Sequence, residues 1–313
     1  LKDCKSPCPA ERKKGLFIVK SFVLELTSRF DAAGIASGRI NAETMLSNLL
    51  GCRIIDLYLN EVTLSREDAD SLERMVSRRI DGEPLQHITG RVNFYGNDLI
   101  IREGVFIPRP ETETLIDIVV KLVSKLQAGL ESQKIRIFDL CTGSGNIGIS
   151  LTKALTRCTI TSSDISYKAL ELAAENAFLN SVSDEIEFIK ADLFDIQEQY
   201  KGCFDIIASN PPYISSGQIK GLSKEVNKDP IEALDGGDDG ISFYRRIVED
   251  SPGFLKRGGS LVLELADEQS KDVKRLIEVA GCFNNIKLFR DLNNVERVIA
   301  AQFSGNQKPK TAL

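Results

Sequence analysis

Residues 135–150, IRIFDLCTGSGNIGIS, decide the fold. A short, mostly apolar run enters a glycine-rich turn, after which the apolar spacing becomes that of a helix. Gly143, Gly145 and Gly148 stand at G-x-G-x-x-G spacing, and Asp164 closes the next strand-like run, TITSSD, 21 residues after Gly143. This is a nucleotide-binding fingerprint: the glycines allow a tight turn and close backbone approach, and the acid accepts from ribose hydroxyls.

The same alternation continues outward from this unit. The helical YKALELAAENAFL, the strand-like IEFIKAD and FDIIASN, a helix near residues 243–249 and the strand-like SLVLELA follow in turn. Short apolar runs alternating with amphipathic helices predict an α/β fold with a mostly parallel, doubly wound sheet covered on both faces. NNIKLFRDLNNVERVIAAQF carries two strand-like runs around an Asn-rich turn, which predicts a C-terminal antiparallel hairpin.

Upstream, Val19, Phe22, Val23, Leu26 and Phe30 form one helical stripe, and Leu72, Met75, Val76 and Ile80 form another. Ser65 and Asp68 form a capping box at the head of that last helix, and DGEP closes it. A small helical bundle is expected over residues 16–88. VNFY and DLII around Gly96-Asn97 predict a hairpin linking it, over residues 89–105, to the larger domain at 106–305. Pro110, with Glu111 and Glu113 behind it, marks a helix start. Residues 1–15 and 306–313 read as loose polar tails, with no apolar stretch suited to a signal peptide or a membrane span.

Composition removes several mechanisms. The chain has 313 residues, 42% of them hydrophobic, enough for two cores of unequal size. A net charge of −5 disfavours a protein whose main task is coating nucleic acid. Its one histidine, His87, leaves no multi-histidine metal site, and no metal is expected. The seven scattered cysteines, an odd number with no CxxC pair, point to reduced thiols in a cytoplasm.

Two cofactors fit the glycine turn. A dinucleotide such as NAD is one; S-adenosylmethionine, which also carries adenosine, is the other. Asp139 immediately precedes the turn, awkward beside a pyrophosphate but able to organise a loop that receives a cationic ligand. It is equally able to do no more than cap backbone amides.

SNPPYI, at the end of FDIIASN, favours the second cofactor. Asn210 closes the fourth parallel strand, on the sheet edge where open α/β sheets bind ligands. Pro211 and Pro212 each fix φ and push the preceding residue out of the helical region, which makes a stiff corner. Such a corner can aim the Asn210 side-chain oxygen and the Pro211 carbonyl at one point, with Tyr213 as a flat wall. Paired acceptors suit a planar NH2 group, and a sulfonium methyl donor needs positioning more than it needs a base.

These motifs resemble the PrmC/HemK family of protein-(glutamine-N5) methyltransferases. The resemblance runs from about residue 40 to 303, through EPLQHITG, FIPRPETE, DLCTGSGNIGIS, SNPPYI, ALDGGDDGISFYRRI and DLNNVERV. It implies a class I, Rossmann-like domain that uses S-adenosylmethionine to methylate the glutamine of the GGQ motif in class 1 peptide chain release factors. Thr142, Gly143, Ser144 and Gly145 would line the methionine and ribose end, Asp164 would bind the ribose, and Asp192 and Leu193 would flank adenine. Asp139, Cys141 and Asn210 would complete the cofactor site. Asn210, Pro211, Pro212 and Tyr213 would hold the substrate glutamine, with Phe106 as another wall, and the helical bundle would dock a distant domain of the release factor. A cytoplasmic monomer with no membrane or direct nucleic-acid partner is expected. Cys141 replaces the family's usual glycine, and Leu193 a residue that is often aromatic. The rivals are a ribosomal-protein glutamine methyltransferase and an adenine-N6 or cytosine-N4 enzyme; the RPETE run and the acidic charge balance weigh against them.

Overall fold

A computed structural model describes residues 17–59, 63–128 and 133–305. The expected tails lie outside the described residues. The chain divides into two compact units, residues 1–90 and 91–313.

The first unit holds β1 (Phe17–Ile18), α1 (Val19–Ala32), α2 (Gly38–Leu50), α3 (Asp56–Leu59), β2 (Thr63–Leu64), α4 (Arg66–Ile80) and α5 (Leu85–Thr89), with β1 and β2 antiparallel. Val23, Leu26 and Phe30 of α1 meet Leu72 and Val76 of α4 in one core, as their spacing predicts. Ser65 and Asp68 form the reciprocal capping box, which contributes about 1 kcal/mol. Ile80 differs from expectation: as the last residue of α4 it is exposed. Its neighbour Arg79 is buried instead, donating to Asn41 Oδ1 at 2.8 Å and to the Glu83 carbonyl at 3.0 Å.

The second unit begins with the hairpin β3 (Arg91–Phe94) and β4 (Asn97–Ile100), paired antiparallel. The hairpin expected as a linker belongs to this unit, because Phe94 and Leu99 are buried in its core. The Asn176 side chain also brackets Ile100, accepting from its N–H at 2.7 Å and donating to its carbonyl at 3.1 Å. Next come α6 (Glu113–Gln127), β5 (Ile135–Leu140), α7 (Asn146–Ala154), β6 (Cys158–Asp164), α8 (Tyr167–Leu179), β7 (Ile186–Lys190) and β8 (Phe204–Ser209). α9 (Ser216–Ile219), α10 (Ser242–Asp250), β9 (Leu255–Glu264), α11 (Ser270–Ala280), β10 (Phe283–Arg290) and β11 (Glu296–Phe303) complete it.

Seven strands form one sheet in the order β10-β11-β9-β8-β5-β6-β7. β5 to β9 are mutually parallel, and β11 pairs antiparallel with both β9 and β10, giving the expected closing hairpin. Side-chain alternation along β5 shows why both faces must be covered: Ile135 and Ile137 enter one core, Phe138 and Leu140 the other. From β5 the chain winds outward through β6 and β7, then returns to β8 on the opposite side. β5 and β8 therefore flank the switch point, and a crevice must open beyond their carboxyl ends. Among the described residues no helix is long and apolar enough to cross a membrane.

Candidate active site

The crevice is a pocket of about 850 Å³ between the turn after β5 and the corner after β8. Its walls include Cys141, Thr142, Gly143, Ser144, Asp164, Asp192, Leu193 and Phe106, together with Asn210, Pro211, Pro212 and Tyr213. The structure thus brings together residues spread over more than a hundred positions of sequence. Two residues expected at the cofactor, Asp139 and Gly145, do not line it.

Asp139 lies behind the turn, fully buried. Its Oδ2 accepts from Thr142 Oγ1 at 2.6 Å, Ser162 Oγ at 3.1 Å and the Gly148 N–H at 3.2 Å. Burial pushes this carboxyl up to about 7, opposed by those same donors. Its place is that of the alternative reading, a staple for the loop. Gly145 caps α7 with φ +83°, and a Cβ there would lie 3.1 Å from Ala173 Cβ. That glycine serves the packing of the turn on α8.

Asp164 ends β6 and does face the pocket. Its two oxygens accept from the Gly143 and Ser166 N–H groups, each at 2.9 Å. Burial raises its pKa against these backbone hydrogen bonds. Each carboxylate oxygen keeps a second lone pair, so a vicinal diol can donate to both. Ser144 Oγ is buried in the same wall with no partner among the described residues, a polar atom suited to a ligand. Cys141 holds φ at +61°, the left-handed region that explains why glycine is usual there, and burial pushes its thiol up. Leu193 is also left-handed, at φ +52°, and presents an apolar wall. Asp192 is paired with Arg246 at 2.8 Å across the pocket's rim.

The corner after β8 is held from several directions. Ser209 Oγ donates to the Leu140 carbonyl at 2.8 Å, tying it to the end of β5. Asn210 Nδ2 donates to Thr112 Oγ1 at 3.2 Å. Among the described residues nothing donates to Asn210 Oδ1 or to the Pro211 carbonyl, so two acceptors stand open in the pocket wall. Gln269 Nε2 donates to the Tyr213 carbonyl at 2.9 Å, and Ile214 pairs with the ALDGGDDG segment through Leu234 and Gly236 at 2.9 and 2.8 Å. A Cβ on Gly236 would fall 2.8 Å from Tyr213 Cα, and one on Gly240 2.7 Å from the Tyr213 carbonyl oxygen. The two glycines let that segment lie directly on the corner.

Residues 23–90 match the PrmC N-terminal domain family, and residues 114–237 match the methyltransferase small domain family. A release factor glutamine methyltransferase of Thermodesulfovibrio yellowstonii is 36% identical over 271 residues, covering 84% of this chain and 92% of that protein. Another from Agrobacterium fabrum is 34% identical over 283 residues, covering 90% and 96%. The chain belongs to the release factor glutamine methyltransferase family.

The fold is that of class I methyltransferases, and the cofactor is S-adenosylmethionine. The hMettl16 catalytic domain, crystallised in complex with the MAT2A 3'UTR hairpin 6, is similar in fold, with a TM-score of 0.54 and 18% identity, over 80% of this chain and 87% of that one. The residues present fit the cofactor: Asp164 has lone pairs free for a vicinal diol, the orphaned Ser144 hydroxyl is a polar partner, and Leu193 offers an apolar wall suited to a flat base.

Several residues of this methyltransferase site escaped the sequence reading. Asp229, with its side chain fully buried, accepts from the Ile107 N–H at 3.0 Å and pairs with Arg109, whose guanidinium lies 5.1 Å from the Phe106 ring. Phe106 is thereby fixed on the rim from a residue more than a hundred positions away. Asp229→Ala is expected to destabilise the fold by about 2 kcal/mol, less than for a fully buried pair because Arg109 is 29% exposed. Urea unfolding checks this, and KM for the protein substrate should rise with it. FIPRPETE, which holds Phe106, Ile107 and Arg109, is the available signal for one side of this contact, whereas Asp229 lies outside every motif quoted from the sequence.

Proposed function

We propose that this chain transfers the methyl group of S-adenosylmethionine to the side-chain amide nitrogen of the GGQ glutamine in class 1 peptide chain release factors, as a cytoplasmic monomer. The observation that carries the reading is the pair of open acceptors, Asn210 Oδ1 and the Pro211 carbonyl, beside a pocket that fits the cofactor. A primary amide presents two N–H groups in one plane, and two acceptors held by a proline corner take both. Its nitrogen lone pair is delocalised into the carbonyl. Fixing both hydrogens, with Tyr213 and Phe106 as walls, orients that nitrogen and favours the pyramidal geometry it needs to attack. The cofactor supplies a methyl group on a sulfonium, already a strong electrophile. The family's named relatives act on release factors, which supports glutamine as the acceptor. Leu24, Ile40, Ile55 and Leu59 are exposed apolar residues of the helical unit, and they support a role for it in docking the protein substrate.

Incubation with methyl-labelled S-adenosylmethionine and a purified class 1 release factor should label the factor, with the mass shift on the GGQ peptide. A Gln-to-Ala variant of that motif should stay unlabelled. Equal labelling of the variant, or label only on a ribosomal protein in a ribosome-containing mixture, would overturn the reading.

A further inference from the structure

Two backbone carbonyls from separate pocket walls converge on one side-chain NH2. Gln269 Nε2 donates to the Tyr213 carbonyl at 2.9 Å and to the Gly240 carbonyl at 3.2 Å. An amide NH2 carries two hydrogens, one for each. Among the described residues nothing else donates to either carbonyl. Tyr213 belongs to the stiff corner after β8, and Gly240 to the ALDGGDDG segment, whose Leu234, Asp235 and Gly237 also line the pocket. The three groups meet so closely that a Cβ on Gly240 would lie 2.7 Å from the Tyr213 carbonyl oxygen and 2.8 Å from Gln269 Nε2.

Packing does not account for a glutamine here. Gln269 stands at the head of α11 without capping it through its side chain, and its own Oε1 is buried with no partner among the described residues. An unpaired buried acceptor costs stability that a hydrocarbon of the same shape would not, so what glutamine contributes is its two N–H groups. The loop that carries it is anchored at its start. The Leu265 N–H donates to the Arg297 carbonyl at 2.8 Å, and Arg297 Nη1 donates to the Leu265 carbonyl at 3.0 Å. Arg297 Nε in turn donates at 3.3 Å to Asp291, which also accepts from the N–H groups of Asn293 and Val295. DLNNVERV thus supports the loop that presents Gln269.

We propose that Gln269 is a positioning residue for methyl transfer, which locks the Asn-Pro-Pro-Tyr corner to the ALDGGDDG wall and so fixes where Asn210 Oδ1 and the Pro211 carbonyl stand. This rests on the glutamine-amide reading above. Without the NH2 between them, two carbonyl oxygens of like partial charge are left without a donor, and the two walls relax apart. Other bonds keep the corner from unfolding: Ser209 ties its start to β5, and Ile214 pairs with Leu234 and Gly236 just after Tyr213. The loss is therefore one of aim. The cofactor turn is held by a separate set of bonds, those of Asp139 and Asp164, and should not feel it.

The experiment compares wild type with Gln269→Met, Gln269→Glu and Lys256→Met in methylation of a purified release factor, beside S-adenosylmethionine binding by calorimetry and thermal melting. Methionine keeps the shape and removes the donors, whereas glutamate sets a carboxylate oxygen against both carbonyls. Lys256 pairs with Asp205 at 2.7 Å near the amino end of the sheet, and its loss is a control for stability alone. Gln269→Met should lower kcat about 10-fold, and Gln269→Glu at least as much, with cofactor affinity near wild type in both. Lys256→Met should lower the melting temperature and keep kcat near wild type. A Gln269→Met rate near wild type would overturn the proposal while wild-type labelling leaves the glutamine reading intact. A rate loss matched by Lys256→Met, or one that cofactor affinity follows, would make the effect one of stability and overturn it too. Failure of wild type to label the glutamine would remove the reading itself, and the positioning role with it.

Discussion

Asn210→Ala is expected to lower kcat for release-factor methylation by about 10²- to 10³-fold, with S-adenosylmethionine still bound, because it deletes one of two acceptors that define the position of the attacking amide. The acceptor is effective because it is rigid. Pro211 and Pro212 stiffen the corner, Ser209 ties it to β5, and Gln269 and the backbone around Gly236 hold Tyr213 from the far side. Asn210→Asp is the more informative partner. It keeps an oxygen of the right size toward the pocket but removes the N–H that donates to Thr112, and it sets a second carboxyl beside the buried Glu264. A loss comparable to that of alanine is expected, because shape alone does not preserve the hydrogen-bond direction. Single-turnover rates at saturating cofactor, together with calorimetric binding, separate the chemical step from affinity. A rate within a few-fold of wild type in Asn210→Ala would exclude the acceptor mechanism.

The parts of this site that could be read in the sequence are those whose chemistry is local. The glycine turn and Asp164 sit on one strand-turn-helix-strand unit, and the stiffness of Asn-Pro-Pro is a property of three consecutive residues. The alternation of apolar runs was enough to place both on one sheet edge. What escaped depends on contacts between distant segments. Thr112 meets Asn210 across 98 positions, Ile107 meets Asp229 across 122, and Gln269 reaches Tyr213 across 56. No periodicity encodes such pairings, and a buried Glu264 at a strand end looks like any solvent-facing acid until the strand order is known. Asp139 shows the converse limit. Its position before the turn suggested the ligand, but β5 alternates, and at that point its side chain faces α7 and β6 rather than the pocket, where it staples the loop. Gly145 likewise satisfies a ligand motif by spacing while serving helix packing.

Asp164→Ala should weaken S-adenosylmethionine binding by about 100-fold, corresponding to about 3 kcal/mol, while leaving the rate at saturating cofactor much less affected. The carboxylate is positioned before any ligand arrives, since the Gly143 and Ser166 N–H groups at 2.9 Å fix both of its oxygens. These bonds orient it without exhausting it. Ribose hydroxyls can add charge-assisted hydrogen bonds to an acceptor that burial has left short of partners. The same burial gives a signature in pH. Asp164 has a raised pKa in the free protein, and donation from a ligand favours its ionised form, so binding lowers that pKa and releases a proton. Affinity should therefore fall as pH drops into the range where the free carboxyl becomes protonated. Asp164→Asn, which keeps one accepting oxygen and cannot ionise, should bind with intermediate affinity and lose that slope. Calorimetry in two buffers of different ionisation enthalpy reads the released proton directly. An Asp164→Ala variant that binds as tightly as wild type would place the ribose elsewhere in the pocket, and the fingerprint would then be a feature of the turn alone.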